Sequence, residues 1–400
     1  MLLTLNIFDI PKKLILSDLC AIIIKMRIAI FGGTFNPVHA EHKNIVNSAI
    51  NELKLDKVII VPTFLSPHKT LIPASAKHRL NMLELAFKDA DKVEISDYEI
   101  KKGGTSYSFM TAEHFRALYP DDELFLLVGG DMLNDFKTWK NPERILSAVS
   151  LAVIGREGVF TDYKAEEKYF KKNYGKDFIK LSVKGKTISS AEIRIYLAFG
   201  IEPDGLIPEI KEYIFNNGVY PPDKYVKFLK ENLTENRLKH TADVAATAMK
   251  KAKELSLDQN KVLTAALLHD CAKYLNPADY KGFILPKNVP QPVVHQYLGA
   301  YVAENVLGVK DDEVLDAIRY HTSGKAGMAT LSKLIFVADM VEKGRNYNGV
   351  DKLRALYEKD FEKCFITCLK EEVIHLKNRG GEIYNLTLAA YDYYVKEEKI

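Results

Sequence analysis

The run Arg27-Ile28-Ala29-Ile30-Phe31-Gly32-Gly33-Thr34-Phe35-Asn36-Pro37-Val38-His39-Ala40-Glu41-His42 decides the fold of the first half of the chain. Arg27 to Phe31 reads as a buried strand, and two glycines at its end let backbone approach a phosphate closely. The turn at Asn36-Pro37 then feeds a helix whose free N–H groups and positive dipole end favour anions. Gly32, Gly33, Thr34 and Phe35 are therefore candidate nucleotide-binding residues. His39 and His42, three apart, are expected on one helical face. Two imidazoles aimed at one point stabilise charge on a pentacovalent phosphate without a covalent intermediate. A surface turn with two unrelated histidines is the bland alternative. The coincidence of Gly-Gly, Asn-Pro and the His pair in one window argues against it.

The chain has 400 residues, enough for about two or three domains with their own cores. Its formal charge of +3 suggests no nucleic-acid footprint. Four cysteines are too few and scattered for a disulfide framework. Cys364 and Cys368 read as buried thiols of a cytoplasmic protein. Asp9, Pro11, Lys12, Lys13 and Asp18 break the apolar patches of residues 1–25, so no membrane span or secretion signal is read there. That segment is expected to be a poorly ordered extension, with the functional protein starting at Met26.

From 26 to 218 the pattern alternates strand and helix. Apolar runs at Arg27 to Phe31, Lys57 to Val61, Lys92 to Ile95, Glu123 to Val128 and Val149 to Ile154 predict an α/β doubly wound parallel sheet, with ligands at the carboxyl ends of its strands. Candidate residues follow those strands. Lys69, in Pro67-His68-Lys69, suits a phosphate; Asp131, in Gly129-Gly130-Asp131, suits ribose hydroxyls. In Thr187-Ile188-Ser189-Ser190-Ala191-Glu192-Ile193-Arg194, hydroxyls at a helix start make a further anion site, with Arg194 one turn inside.

The Gly-Gly run with its paired His resembles the nucleotidyltransferase signature Gly-x-x-x-x-Pro-x-His-x-Gly-His, with Glu41 in place of the family's Gly. With Pro67-His68-Lys69, Ser106-Tyr107-Ser108 and Thr138-Trp139, residues 26–218 are similar to the nicotinate-nucleotide adenylyltransferases. The resemblance implies attack by the phosphate of nicotinate mononucleotide on the α-phosphorus of ATP, with Mg²⁺ on the triphosphate. His39, His42, Lys69 and Arg194 would be catalytic, and Ile188, Ser189, Ser190 and Asp131 would bind nucleotide. Ser108 would hold the nicotinate carboxylate, and Trp139, the sole tryptophan, would stack on the pyridine. Preference between the acid and the amide acceptor stays open.

Tyr220-Pro221-Pro222 marks a stiff joint, with a linker at 219–224. Amphipathic stretches at Glu235 to Leu255, Asp258 to Tyr274, Asp311 to Tyr320 and Thr330 to Val341 then predict an all-helical domain over 225–400. His240, His269-Asp270, His295, His321 and Asp339 form an ordered series. His269-Asp270 ends the apolar run Ala265-Ala266-Leu267-Leu268, a costly placement unless paired or metal-bound.

This series, with Asp316-Ala317-Ile318-Arg319-Tyr320-His321-Thr322-Ser323-Gly324, resembles the HD-domain phosphohydrolases, in particular the symmetrical diadenosine tetraphosphatases. Six imidazole and carboxylate groups suit two divalent ions bridged by Asp270. The resemblance implies iron, with Mn²⁺ the alternative that the ligand types leave open. Two metals would activate water and stabilise entering and leaving oxygens. Lys273 is a candidate catalytic residue, and Arg237, Lys325 and Arg345 are candidate phosphate grips. A nucleotide-sensing module and a di-iron oxygenase are the alternatives for this half; basic residues around the ligands favour phosphate substrates. ATP, nicotinate mononucleotide and diadenosine tetraphosphate are the expected small-molecule partners, with homo-oligomerisation left open.

Overall fold

The computed structural model describes residues 25–66, 74–156, 161–185, 188–380 and 382–396. Residues 1–24, the Pro67-His68-Lys69 loop and Thr187 lie outside them, so the expectations for the N-terminal extension and for Lys69 are not addressed by it. The described chain forms two compact units. One gathers residues 25–34, 42–66, 87–156 and 161–185; the other gathers 35–41, 74–86, 188–380 and 382–396.

The first unit is built on β1 (Arg27–Gly33), β2 (Lys57–Pro62), β3 (Val93–Ile95), β4 (Glu123–Gly129), β5 (Ser150–Arg156) and β6 (Ile179–Gly185), in the order β3-β2-β1-β4-β5-β6. Every neighbouring pair is parallel. Parallel strands are covered on both faces, so their centres read as unbroken apolar runs. Ile28, Ala29 and Ile30 of β1 and Val58, Ile59, Ile60 and Val61 of β2 are fully buried accordingly. The sixth strand is an addition to the five expected. Ile179-Lys180-Leu181-Ser182-Val183-Lys184 mixes lysines with apolar residues, as an edge strand paired only with β5 can. Glu52 accepts hydrogen bonds from the N–H groups of Ser182 and Val183 at 2.7 and 3.2 Å.

Strand order reverses between β1 and β4, which places the ligand crevice of such a sheet at their carboxyl ends. Gly32 and Gly33 end β1, and Gly129 ends β4. Among the described residues, a Cβ on Gly32 would meet nothing within 4 Å. Gly130 is closely packed, since an added Cβ would sit 2.9 Å from the Thr161 hydroxyl and force a shift.

The second unit is a helical bundle with Glu235–Ala252, Gln259–Leu268, Val294–Asn305, Asp312–Tyr320, Thr330–Val341, Val350–Lys359 and Phe361–Asn378 as main helices. Thr330–Val341 is central: Leu331, Leu334, Ile335, Phe336, Val337 and Ala338 are all buried. Aspartate caps explain why several helix starts were legible. Asp258 accepts from Asn260 and Lys261 N–H, and Asp311 from Glu313 and Val314 N–H.

The helix expected over Asp258 to Tyr274 stops at Leu268 instead. The His269 ring donates from Nδ1 to the Ala266 carbonyl at 2.7 Å, and Cys271 N–H turns back to Leu268, so the chain tightens into turns. Likewise the helix expected to reach Leu255 ends at Ala252.

Residues 35–41 belong to the second unit with the helix Ser190–Phe199, whose Ile195, Tyr196 and Phe199 join the bundle's core. Gly205 ties these pieces together: its carbonyl accepts from Ala40 N–H at 2.9 Å, its φ is +75°, and an added Cβ would lie 2.5 Å from Ile188 Cδ1. Gly205→Ala should therefore lower stability by ~1–3 kcal/mol. Denaturant unfolding checks this, and an unchanged midpoint would contradict the packing described.

Candidate functional site

The six residues expected to hold metal come together in two sets. One ligand atom from each of His240, His269 and Asp339 lies within 4.8 Å of the others, and Asp270, His295 and His321 do the same. They converge from separate elements: His240, His295 and Asp339 from within helices, His269-Asp270 and His321 from the turns just past two helix ends. Asp270 stands at the join. Its Oδ1 is 3.1 Å from His295 Nε2 and 3.5 Å from His321 Nε2, while Oδ2 is 3.7 Å from His269 Nε2 and 3.9 Å from His240 Nε2. Each oxygen thus faces a different set, the disposition a bridging carboxylate needs.

Hydrogen bonding fixes the rings. Carbonyls only accept, so His269 and His321 must donate from Nδ1 to Ala266 and Ile318, at 2.7 and 2.8 Å. His240 Nδ1 is 3.1 Å from the buried Glu342 carboxylate. Each ring then turns an Nε2 lone pair inward, as a metal ligand requires. A donor set of imidazole and carboxylate without thiolate fits divalent ions.

Burial holds the His269 ring at about 3, so it is neutral at pH 7. Burial would raise the Asp270 carboxyl, but His269, His295 and His321 hold it well below the ordinary carboxylate range. Burial also opposes ionisation of Asp339, and His240 with Arg345 outweighs it. For His240, burial pushes down, and Asp339 with Glu342 pushes further up.

Three of the four basic residues expected beside the series are there. Arg237 Nη1 donates to Asp270 Oδ2 at 2.7 Å, Lys273 Nζ is 3.1 Å from His295 Nε2, and Arg345 donates to the Asp339 carboxylate. Lys325 is held by neighbours of its own. Asp316 takes its ammonium at 2.5 Å, and the Tyr320 ring lies 4.6 Å from it, so local pairing rather than the ligand cluster positions it. Two residues were missed. Glu342 stands one turn after Asp339, a spacing that could have signalled it. Thr322, whose hydroxyl is 2.9 Å from His321 Nε2 and 3.1 Å from His295 Nε2, offered no such signal.

In the first half, His39 does not share the helix of His42. That helix begins at Ala40, leaving His39 at its threshold and His42 in its first turn. The carbonyls that a longer helix would give to Ala40 and Glu41 are taken elsewhere: Arg194 Nη1 donates to Asn36 O at 2.6 Å, and Ser190 Oγ to Pro37 O at 2.9 Å. Ser189 caps its helix through Glu192 N–H, and Ile188 packs on Gly205. Arg194 and Ser190 therefore build the segment that carries His39.

Asp131, expected at the ribose, and the expected acceptor residues belong to the first unit. Asp131 is in the first turn after β4, and Ser108 opens the helix Ser108–Leu118. Trp139 is half-buried, its ring 5.2 Å from that of Phe136. Lys140 lies 4.4 Å over the Tyr107 ring, and the Ser106 hydroxyl accepts from Phe64 N–H at 3.0 Å.

Sheet, signature and histidine cluster define a nucleotidyltransferase joined to an HD domain: residues 30–195 match the cytidylyltransferase-like family, and residues 237–344 the HD domain. The chain is 30% identical over 352 residues to the probable nicotinate-nucleotide adenylyltransferase/Ap4A hydrolase of Mycoplasma pneumoniae, covering 85% of this chain and 97% of that one. The protein of the same description from Mycoplasma genitalium is 29% identical over 360 residues, covering 87% and 98%. The symmetrical bis(5'-nucleosyl)-tetraphosphatase of Bacillus subtilis is 36% identical over 174 residues, covering 42% and 94%. The chain belongs to the nicotinate-nucleotide adenylyltransferase/Ap4A hydrolase family. Its HD domain implies divalent-metal binding, for which the two ligand sets are suited. Among the described residues no helix is long and apolar enough to cross a membrane.

An unfolded His269 gains a proton below its ordinary value of 6.5, which the folded ring, held at about 3, refuses. The unfolded state thus binds more protons between those values, and stability drains as pH falls through the window. His295, lowered by burial, adds to this; His240, raised, opposes it. In chelator, the thermal midpoint should fall as pH drops from about 7.5 to about 5, and His269→Gln should flatten the slope. A midpoint that holds or rises would contradict a buried neutral His269.

Proposed function

We propose that this chain is a bifunctional cytoplasmic enzyme. Its nucleotidyltransferase domain, taken as residues 26–218, transfers the adenylyl group of ATP to nicotinate mononucleotide. Its HD domain, 225–400 beyond a 219–224 linker, hydrolyses diadenosine tetraphosphate to two ADP. The observation that carries this reading is similarity to a two-activity relative along nearly the whole of both chains.

In the first reaction an oxygen of the acceptor phosphate bonds to the α-phosphorus of ATP, and the α–β bridge breaks to release pyrophosphate. The acceptor phosphate is already ionised at neutral pH, so no general base is needed. His39, His42, Lys69 and Arg194 are assigned to charge stabilisation and positioning. Gly32, Gly33, Thr34, Phe35, Asp131, Ile188, Ser189 and Ser190 are assigned to ATP, which carries Mg²⁺. Ser108 and Trp139 are assigned to the acceptor. Donors arranged for its carboxylate would favour the acid over the amide.

In the second reaction water adds to a phosphorus beside the central bridge, the bridging P–O bond breaks, and each half leaves as ADP. His240, His269 and Asp339 would hold one ion, His295 and His321 the other, with Asp270 between. Two divalent ions, iron with manganese as the alternative, would supply Lewis-acid stabilisation and lower the pKa of water when bound. Lys273, Arg237 and Arg345 would grip the phosphates, with Lys325 as an outer contact. Glu342 would hold the His240 ring.

Single substitutions should separate the activities. His42→Ala should cut adenylyl transfer by ~10²-fold or more and leave hydrolysis intact. Asp270→Ala should abolish hydrolysis and metal retention while transfer persists. Coupled assays and chromatography of products decide it: joint loss of both activities in a folded variant, or ATP plus AMP as products, would contradict the assignment.

A further inference from the structure

Beside the His240 ligand set, the second unit holds a cavity of about 420 Å³, within the size range of small-molecule sites. Its inner end is His240 with Arg237 and Arg345, and its outer walls include Asn236, Tyr274, Asn346 and Tyr347. The outer four have no part in metal ligation or in the core. Tyr274 and Tyr347 are 56% and 39% exposed, large apolar surface left facing a cleft. The Tyr347 ring is nevertheless fixed, its hydroxyl donating to Met340 O at 2.8 Å. An anchored aromatic plate loses little entropy when a flat ligand stacks on it.

The amides add specificity. Asn236 lies one turn before His240 on the same helix, Asn346 lies beside Arg345, and neither side chain has a hydrogen-bond partner among the described residues. An amide offers one donor and one acceptor edge, which matches the adjacent amino group and ring nitrogen of adenine. A polyphosphate alone would need neither rings nor amides here. We propose that this cleft seats one adenine nucleoside of the polyphosphate substrate, its base on Tyr274 and Tyr347 and read by Asn236 and Asn346, its phosphates running inward to Arg237, Arg345 and the metal cluster. The assignment rests on the hydrolase reading above and names where that substrate's base is held.

The test uses the full chain. Tyr347→Ala should raise KM for diadenosine tetraphosphate at least ~10-fold with kcat changed by no more than about twofold. Tyr347→Phe keeps the ring but loses its anchor on Met340 O, and should raise KM far less than Tyr347→Ala. Asn346→Ala should narrow the preference for the adenine substrate over diuridine tetraphosphate. Independently of turnover, irradiation with 8-azido-ADP should label peptides containing Tyr274 or Tyr347 as well as the ATP site of the other domain. Wild-type hydrolysis with an unchanged KM in Tyr347→Ala, or labelling absent from both tyrosine peptides, would overturn the subsite. Labelling at the tyrosines in a protein that leaves diadenosine tetraphosphate intact would support the subsite and sink the hydrolase reading instead.

Discussion

The buried carboxylate of Asp270 is the constraint around which the second unit is arranged. An ion removed from water costs several kcal/mol unless its partners restore what solvent supplied, roughly the scale of a whole domain's net stability. Asp270 is almost wholly buried, and its partners arrive from different parts of the bundle. Arg237 comes from Glu235–Ala252, His295 from Val294–Asn305, and His321 from the turn after Asp312–Tyr320. Satisfying one anion therefore fixes how three helices approach one another. The same convergence points the imidazole nitrogens at common centres, so stability and ligand geometry share one cause.

Histidine also shapes the backbone that carries it. After Leu268 and again after Tyr320, an imidazole takes the carbonyl three residues back, and regular helix stops there. The apolar helices Gln259–Leu268 and Asp312–Tyr320 thus end at a polar centre with one terminal carbonyl each taken by the imidazole. A related exchange occurs at the nucleotide signature. Arg194 and Ser190 accommodate the carbonyls of Asn36 and Pro37, and Ala40 N–H turns to Gly205, so His39 is positioned by tertiary contacts and His42 by the helix.

What was legible in the sequence is what local chemistry constrains strongly. Fully buried parallel strands announce themselves as apolar runs, and Gly32-Gly33, Asn36-Pro37 and the six-residue His/Asp series carry functional groups too costly to place idly. The β6 strand stayed hidden because an edge tolerates charged residues such as Lys180. The early stop at Leu268 stayed hidden because the ring of His269, not a glycine or proline, ends the helix. Thr322 and Lys325 are settled by side chains folded near them, the former by His295 and His321 and the latter by Asp316, which spacing alone does not reveal.

The central claim is a pair of ion sites sharing Asp270, and anomalous diffraction from manganese-loaded crystals tests it most directly. Two peaks are expected, one contacted by Nε2 of His240 and His269 with Asp339, the other by Nε2 of His295 and His321, each touching a different oxygen of Asp270. A single peak remote from Asp270, or none at full metal occupancy in solution, would contradict the account.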